Sequence, residues 1–189
     1  MIRATKQASL MVFFSAKTHK LDVPFRTIIP EKGTWQAHLS GFLARQLSQL
    51  RAEDPYSIQN SEEVIAFLND KGACGVSGFS IDVKDMYFSI LQEELMSKLH
   101  TMIEAQGAVA FQNRAGICSD TFLKLLGAYL QSTILCYEDE NFIQSSAVCI
   151  GFRVAPYLID AFMAACNRKV RDSLEDERVL ALFRYVTTF

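Results

Sequence analysis

Apolar residues recur at helical spacing in four separate stretches of this chain, and short apolar runs lie between those stretches. Trp35, Leu39, Phe42, Leu43, Leu47 and Leu50 fall on one face of a helix over 34–50. Leu91, Leu95, Leu99 and Ile103 do the same over 91–105. Phe122, Leu125, Leu126 and Tyr129 point inward from a helix over 121–134, which Ser119 or Asp120 can cap. Pro156 suits the first turn of a helix that runs to about Val170. Asn60 with Glu63 has the spacing of a capping box for a shorter helix over 61–69. Between them, 11–16 and 24–29 read as strands around a polar turn, 79–83 and 108–112 as short strands, and 180–186 as a last strand. Strands and helices alternate without strict βαβ repetition, which predicts α+β rather than a doubly wound sheet.

The chain can bury a core: 50% of its 189 residues are hydrophobic and 21% are charged, which excludes disorder as a general description. No apolar run approaches the ~18 residues of a membrane span. The run from Leu10 to Ala16 follows Arg3 and Lys6, but it is short for a signal peptide and Lys17 follows at once, so it reads as a buried strand. Cys74, Cys118, Cys136, Cys149 and Cys166 are odd in number, widely spaced and without a C-x-x-C pair. That pattern predicts buried free thiols in a reducing compartment, not a disulfide framework or a zinc site. His19, His38 and His100 share no metal-ligand spacing. The glycines at 72, 75 and 78 lack the Gly-Lys-Ser/Thr ending of a phosphate loop and precede a strand, so this is a connecting loop.

The net charge of −2 hides an asymmetry. Residues 1–50 hold seven Lys or Arg and two Asp or Glu, a balance of +5; the rest holds twelve and nineteen, a balance of −7. A basic segment joined to an acidic one suits a polyanionic partner plus a cation-binding part.

Ser80-Ile81-Asp82-Val83-Lys84-Asp85-Met86-Tyr87-Phe88-Ser89 places two carboxylates three residues apart where an apolar run ends. By themselves they read as a surface acid and a helix cap. The segment, however, resembles the first palm motif of reverse transcriptases. Lys17-Thr18-His19-Lys20 and Pro24-Phe25-Arg26-Thr27-Ile28-Ile29-Pro30-Glu31-Lys32-Gly33-Thr34-Trp35 resemble the fingers of retroelement reverse transcriptases. Ile150-Gly151-Phe152-Arg153-Val154-Ala155-Pro156 resembles their glycine-containing template motif, and Phe183-Arg184-Tyr185-Val186-Thr187-Thr188-Phe189 their Tyr-x-Asp-Asp hairpin. The four stand in the family's order, and the likeness is greatest to non-LTR or Penelope-like elements.

The resemblance implies a right-hand polymerase, about 1–75 fingers-like and 76–189 mostly palm-like, with an antiparallel palm sheet packed on helices, cut off before the thumb. It implies two-metal phosphoryl transfer onto a DNA primer along an RNA template, from deoxynucleoside triphosphates and with Mg²⁺, inside the cell in cytoplasm or nucleus. Asp82 takes the position of the first metal ligand, with the Val83 carbonyl beside it. Asp85 takes the position whose backbone supports the triphosphate, and Tyr87 that of the bulky residue screening the sugar 2′ position. Lys17, Lys20 and Arg26 match the cations that meet the triphosphate. Gly151 matches the glycine that admits the template, with Pro156 closing that motif.

The chain also departs from the family. Thr187 and Thr188 stand where the hairpin has two aspartates, and a neutral hydroxyl is a poor Mg²⁺ ligand. Phe152 replaces a small Ser and would crowd the template or nucleotide path. These departures predict a retrotransposon-derived fragment that is inactive as it stands. A non-catalytic nucleic-acid-binding remnant, or a polymerase active only within a longer chain, are the alternatives.

Overall fold

The structure, a computed structural model, describes residues 9–18, 21–50, 54–72, 75, 77–144, 146–174 and 179–185. In chain order the elements are β1 (Leu10–Met11), β2 (Phe13–Ala16), β3 (Phe25–Ile28), α1 (Gln36–Leu47), β4 (Ser57–Ile58), α2 (Glu62–Lys71), α3 (Met86–Ser89), α4 (Gln92–Gln106), α5 (Ala108–Ala115), α6 (Ser119–Gln131), β5 (Ile134–Tyr137), β6 (Glu140–Ile143), α7 (Ala155–Ser173) and β7 (Arg184–Tyr185). The mixture of helices and small sheets agrees with the expected α+β class.

The helices carry the core. α4 packs on α5, α6 and α7, and α1 packs on α6 and α7. Leu43 and Leu47 of α1, Leu95, Leu99 and Ile103 of α4, Phe122, Leu126 and Tyr129 of α6, and Leu158 and Ile159 of α7 are all buried. These are the i, i+3/i+4 positions that the sequence marks, so the apolar stripes do face one another. Glu93 and Glu94 in the first turn of α4 complement its positive end. At α2 the Asn60 carboxamide accepts the Glu62 N–H at 2.9 Å, and the Glu63 carboxylate accepts the Gln59 N–H at 2.7 Å. The cap therefore forms, with its reciprocal bond one residue earlier than the ideal box.

The strands depart from expectation. They form three small sheets in place of one antiparallel sheet. These are a three-stranded sheet of order β1-β5-β6, the antiparallel hairpin β2-β3, and the parallel pair β4-β7. Residues 108–112, expected as a strand, are the start of α5. Gly107 at φ +95° lets the chain turn between α4 and α5, and Phe111 and Ala115, four apart, then bury one helical face. Phe111 meets Phe122 edge-on at 5.1 Å. The alternation over 79–83 forms no strand: Phe79 is 89% exposed and Ile81 80%, and no ladder partner meets them among the described residues. Alternation alone cannot hold a strand without a partner. The run at 11–16 is not buried, because β2 pairs only with β3 and both faces of that hairpin stay open. The last strand is limited to β7, since Val186 lies outside the described residues. Of the described thiols only Cys149 is buried; Cys118 is exposed, and Cys136 and Cys166 are half-buried.

Candidate nucleic-acid interface

Two chain segments far apart in sequence meet at Gly151. The Ile29 N–H, just past β3, donates to the Ile150 carbonyl at 2.8 Å. Gly151 has φ +106°, and a Cβ there would lie 2.7 Å from the Ile29 carbonyl oxygen. Only glycine fits both the backbone conformation and the approach. The strand that Gly151 admits in this fold is thus the chain's own.

Glu31 fastens the same junction. It is 4% exposed, and its carboxylate accepts the Tyr129 hydroxyl of α6 and, at 3.0 Å, the Arg153 N–H. Its carbonyl accepts the Thr34 hydroxyl at 2.7 Å, which shapes the turn into α1. Burial, then the neighbouring Glu31 charge, push the Tyr129 phenol well above its ordinary range. The same two causes, in that order, push the Cys149 thiol up to about 12. Exposed Cys118 moves the other way, because the Thr121 hydroxyl 3.0 Å from its sulfur favours the thiolate. Native protein treated with iodoacetamide near pH 8 should therefore be labelled at Cys118 first and at Cys149 only after unfolding, as peptide mass spectrometry would show. Early Cys149 labelling would contradict its burial.

Beside this junction lies an open cleft of about 510 Å³, lined by Lys32, Gly33, His38, Gly151 and Arg153 among others. Arg153 Nη1 lies 3.6 Å from the place of a Cβ at Gly41, so the guanidinium rests along α1. Cations on an exposed rim next to a glycine turn suit a phosphodiester backbone.

The other expected site residues divide. Asp82 and Val83 are exposed on the unpaired segment before α3. Asp85 precedes α3 with φ +51°, and its carbonyl accepts the Phe88 and Ser89 N–H groups, so its backbone acts as a cap. Tyr87 is half-buried, and its carbonyl accepts the Val148 N–H at 3.0 Å. Burial raises the Tyr87 phenol above its ordinary pKa, Arg26 pulls it back, and Asp160 pushes it up. Arg26 and Tyr87 are therefore electrostatic neighbours, as the resemblance implies. The Lys17 N–H closes the β2–β3 hairpin on the Pro24 carbonyl at 2.9 Å. Pro156 sits in the first turn of α7, as expected. Phe152 does not crowd a strand path: it is buried, with its ring 5.4 Å from that of Tyr129. Lys20, Thr187 and Thr188 lie outside the described residues.

A second polar cluster was not expected. Arg184 of β7 is 9% exposed and binds Asp54 through Nε at 2.7 Å and Asp160 through Nη1 at 3.1 Å. Asn167 of α7 donates to the same Asp54 oxygen at 2.9 Å. Asp160 thereby joins Arg184 on one side to Tyr87 on the other. One signal for Glu31 was available: it is one of only two acids in the basic first fifty residues.

The two Mg²⁺ ions of the family do not fit the described donors. Among the described residues no three His, Cys, Asp or Glu side chains gather as a metal site, and Asp82 stands as a lone exposed carboxylate.

The α1–α4–α6–α7 core with its small sheets is arranged as in part of a reverse-transcriptase-related polymerase. The solved structure that shows this is a telomerase from Candida tropicalis in complex with the TWJ fragment of telomeric RNA, with a TM-score of 0.60 over 93% of this chain at 11% identity. The likeness is one of fold, and the chain spans about a third (34%) of that telomerase chain. No protein-family model and no curated protein matches the sequence. Among the described residues no helix is long and apolar enough to cross a membrane.

Proposed function

We propose that this chain is the fingers-and-palm portion of a reverse-transcriptase-like domain of retrotransposon origin, which binds a nucleic-acid strand and does not itself catalyse nucleotide addition. The observation that carries the reading is the fold likeness to a telomerase across nearly the whole chain. The four motifs, found in the family's order, support it. The strand partner is the RNA template with its DNA primer. The template's phosphates lie in the cleft beside Gly151, against Lys32 and Arg153, and Arg26 beside Tyr87 meets a nucleoside triphosphate. The location is intracellular, in cytoplasm or nucleus. Asp82 is the remaining carboxylate of the magnesium site, and Thr187 and Thr188 add no charge to it, so strand binding outlasts catalysis.

The test is fluorescence anisotropy with a labelled single-stranded RNA and with an RNA–DNA primer–template, alongside primer extension in Mg²⁺ or Mn²⁺. Affinity should fall steeply as salt rises and fall again in Arg26→Ala, with no extension product. A signal that ignores both salt and Arg26 would reject nucleic-acid binding. Template-dependent incorporation would reject the loss of catalysis.

A further inference from the structure

We infer that Glu31 is a positioning residue for strand binding: its buried carboxylate fixes the backbone of Arg153, and so aims that guanidinium along α1 at the rim of the cleft. The inference rests on the nucleic-acid reading above and extends it to a residue with no charge complementarity to a polyanion. An acid beside a phosphate path would ordinarily weaken binding. Glu31 escapes this because its oxygens are turned inward, one toward Tyr129 in α6 and one toward the Arg153 N–H. Burying a carboxylate is costly, and the cost is offset here only by those donors.

The geometry shows what the carboxylate holds. The 149–153 turn has two ties to the segment after β3. One is the Ile29 N–H to the Ile150 carbonyl, before Gly151; the other is Glu31 to the Arg153 N–H, after it. Gly151 between them has φ +106° and could swing freely without both ties. Phe152 is packed in the core against Tyr129, the second partner of Glu31. With Phe152 inward and the Arg153 N–H bound to Glu31, the Arg153 side chain must leave the turn outward, where it lies along α1 near Gly41 and Lys32 lines the same cleft. Release of the Arg153 N–H frees that direction, and a cation that is not held over the cleft cannot pair with a fixed phosphate.

The experiment uses the full chain, as wild type and as Glu31→Gln, Arg153→Ala and the double variant, with a labelled single-stranded RNA titrated at several salt concentrations. Glutamine keeps the size of Glu31 but offers one acceptor where two donors converge. Glu31→Gln should weaken binding by the same factor as Arg153→Ala, and the double variant should be no weaker than either. The salt slope should fall by about 0.7 in each, the loss of one phosphate contact to a single strand. Amide hydrogen exchange without RNA gives a second reading: the Arg153 N–H should lose protection in Glu31→Gln, while α4 keeps its own. Tyr129→Phe, which leaves the Arg153 bond in place, should retain the wild-type salt slope. Additive losses, an unchanged slope, or unchanged Arg153 exchange would overturn the positioning role while leaving nucleic-acid binding intact. Tighter binding by Glu31→Gln would mean that the carboxylate acts only as a repulsive charge, and would also overturn it. A wild type that binds no RNA would bring down the nucleic-acid reading and this inference with it.

Discussion

Asp54→Ala should lower the stability of the fold by about 3–5 kcal/mol, because it leaves the Arg184 guanidinium buried without its main partner. The Asp54 side chain is 2% exposed and that of Arg184 9%, so water cannot replace the lost carboxylate. Asp54 also accepts from Asn167 and from the Tyr56 N–H, which means that one truncation orphans donors on α7, on the segment leading into β4 and on β7. Asp160→Ala is the control: that carboxylate is half exposed, and its loss should cost about 0–1 kcal/mol. Urea denaturation followed by circular dichroism would compare the two, with the midpoint shifting far more for Asp54→Ala. Equal midpoints would show that Arg184 is effectively solvated. The β4–β7 pair, two residues on each strand, is too short to hold itself, so exchange protection at the Arg184 N–H, 2.6 Å from the Tyr56 carbonyl, should vanish with it.

The contrast between the helices and these clusters shows what can be read along a chain. α1, α4, α6 and α7 are legible because a helix repeats its buried face every three or four residues, within a window short enough to inspect. α5 is less so: Ala108-Val109-Ala110-Phe111 alternates like a strand, and only the Gly107 and Gly116 turns and the burial of Ala115 make it helical. The 79–83 run fails for the opposite reason, since its alternation is genuine but a strand needs a neighbour that local pattern does not specify. The candidate site is legible where a motif is contiguous, as with Gly151 and Tyr87. It is illegible where partners are remote: Glu31 and Tyr129 are 98 positions apart, Glu31 and Arg153 122, and Asp54 and Arg184 130. Phe152 shows the related limit. Its size is visible in the sequence, but whether it faces a strand path or the core is decided by Tyr129 in another helix.

Gly151→Ala should cost about 2–4 kcal/mol, from two separable causes. A left-handed backbone at a non-glycine residue costs about 1–3 kcal/mol, and displacing the Ile29 carbonyl endangers a hydrogen bond worth about 1 kcal/mol net. Gly72 separates the causes: it too has positive φ, at +58°, but a Cβ there meets nothing within 4 Å. Gly72→Ala should therefore show backbone strain alone, about 1–2 kcal/mol, by the same denaturation assay. The excess at Gly151 measures the crowding against Ile29, and equal costs would mean that the β3 end simply moves away. Movement there has a second consequence. Ile29 is followed within two residues by Glu31, so a β3 end pushed off the 149–153 turn carries the carboxylate away from the Arg153 N–H. Gly151→Ala should then reduce RNA affinity even at temperatures where it is fully folded, whereas Gly72→Ala should not. The glycine that the template motif would supply for close approach of a nucleic acid thus works first as the seat of the segment that aims the cation.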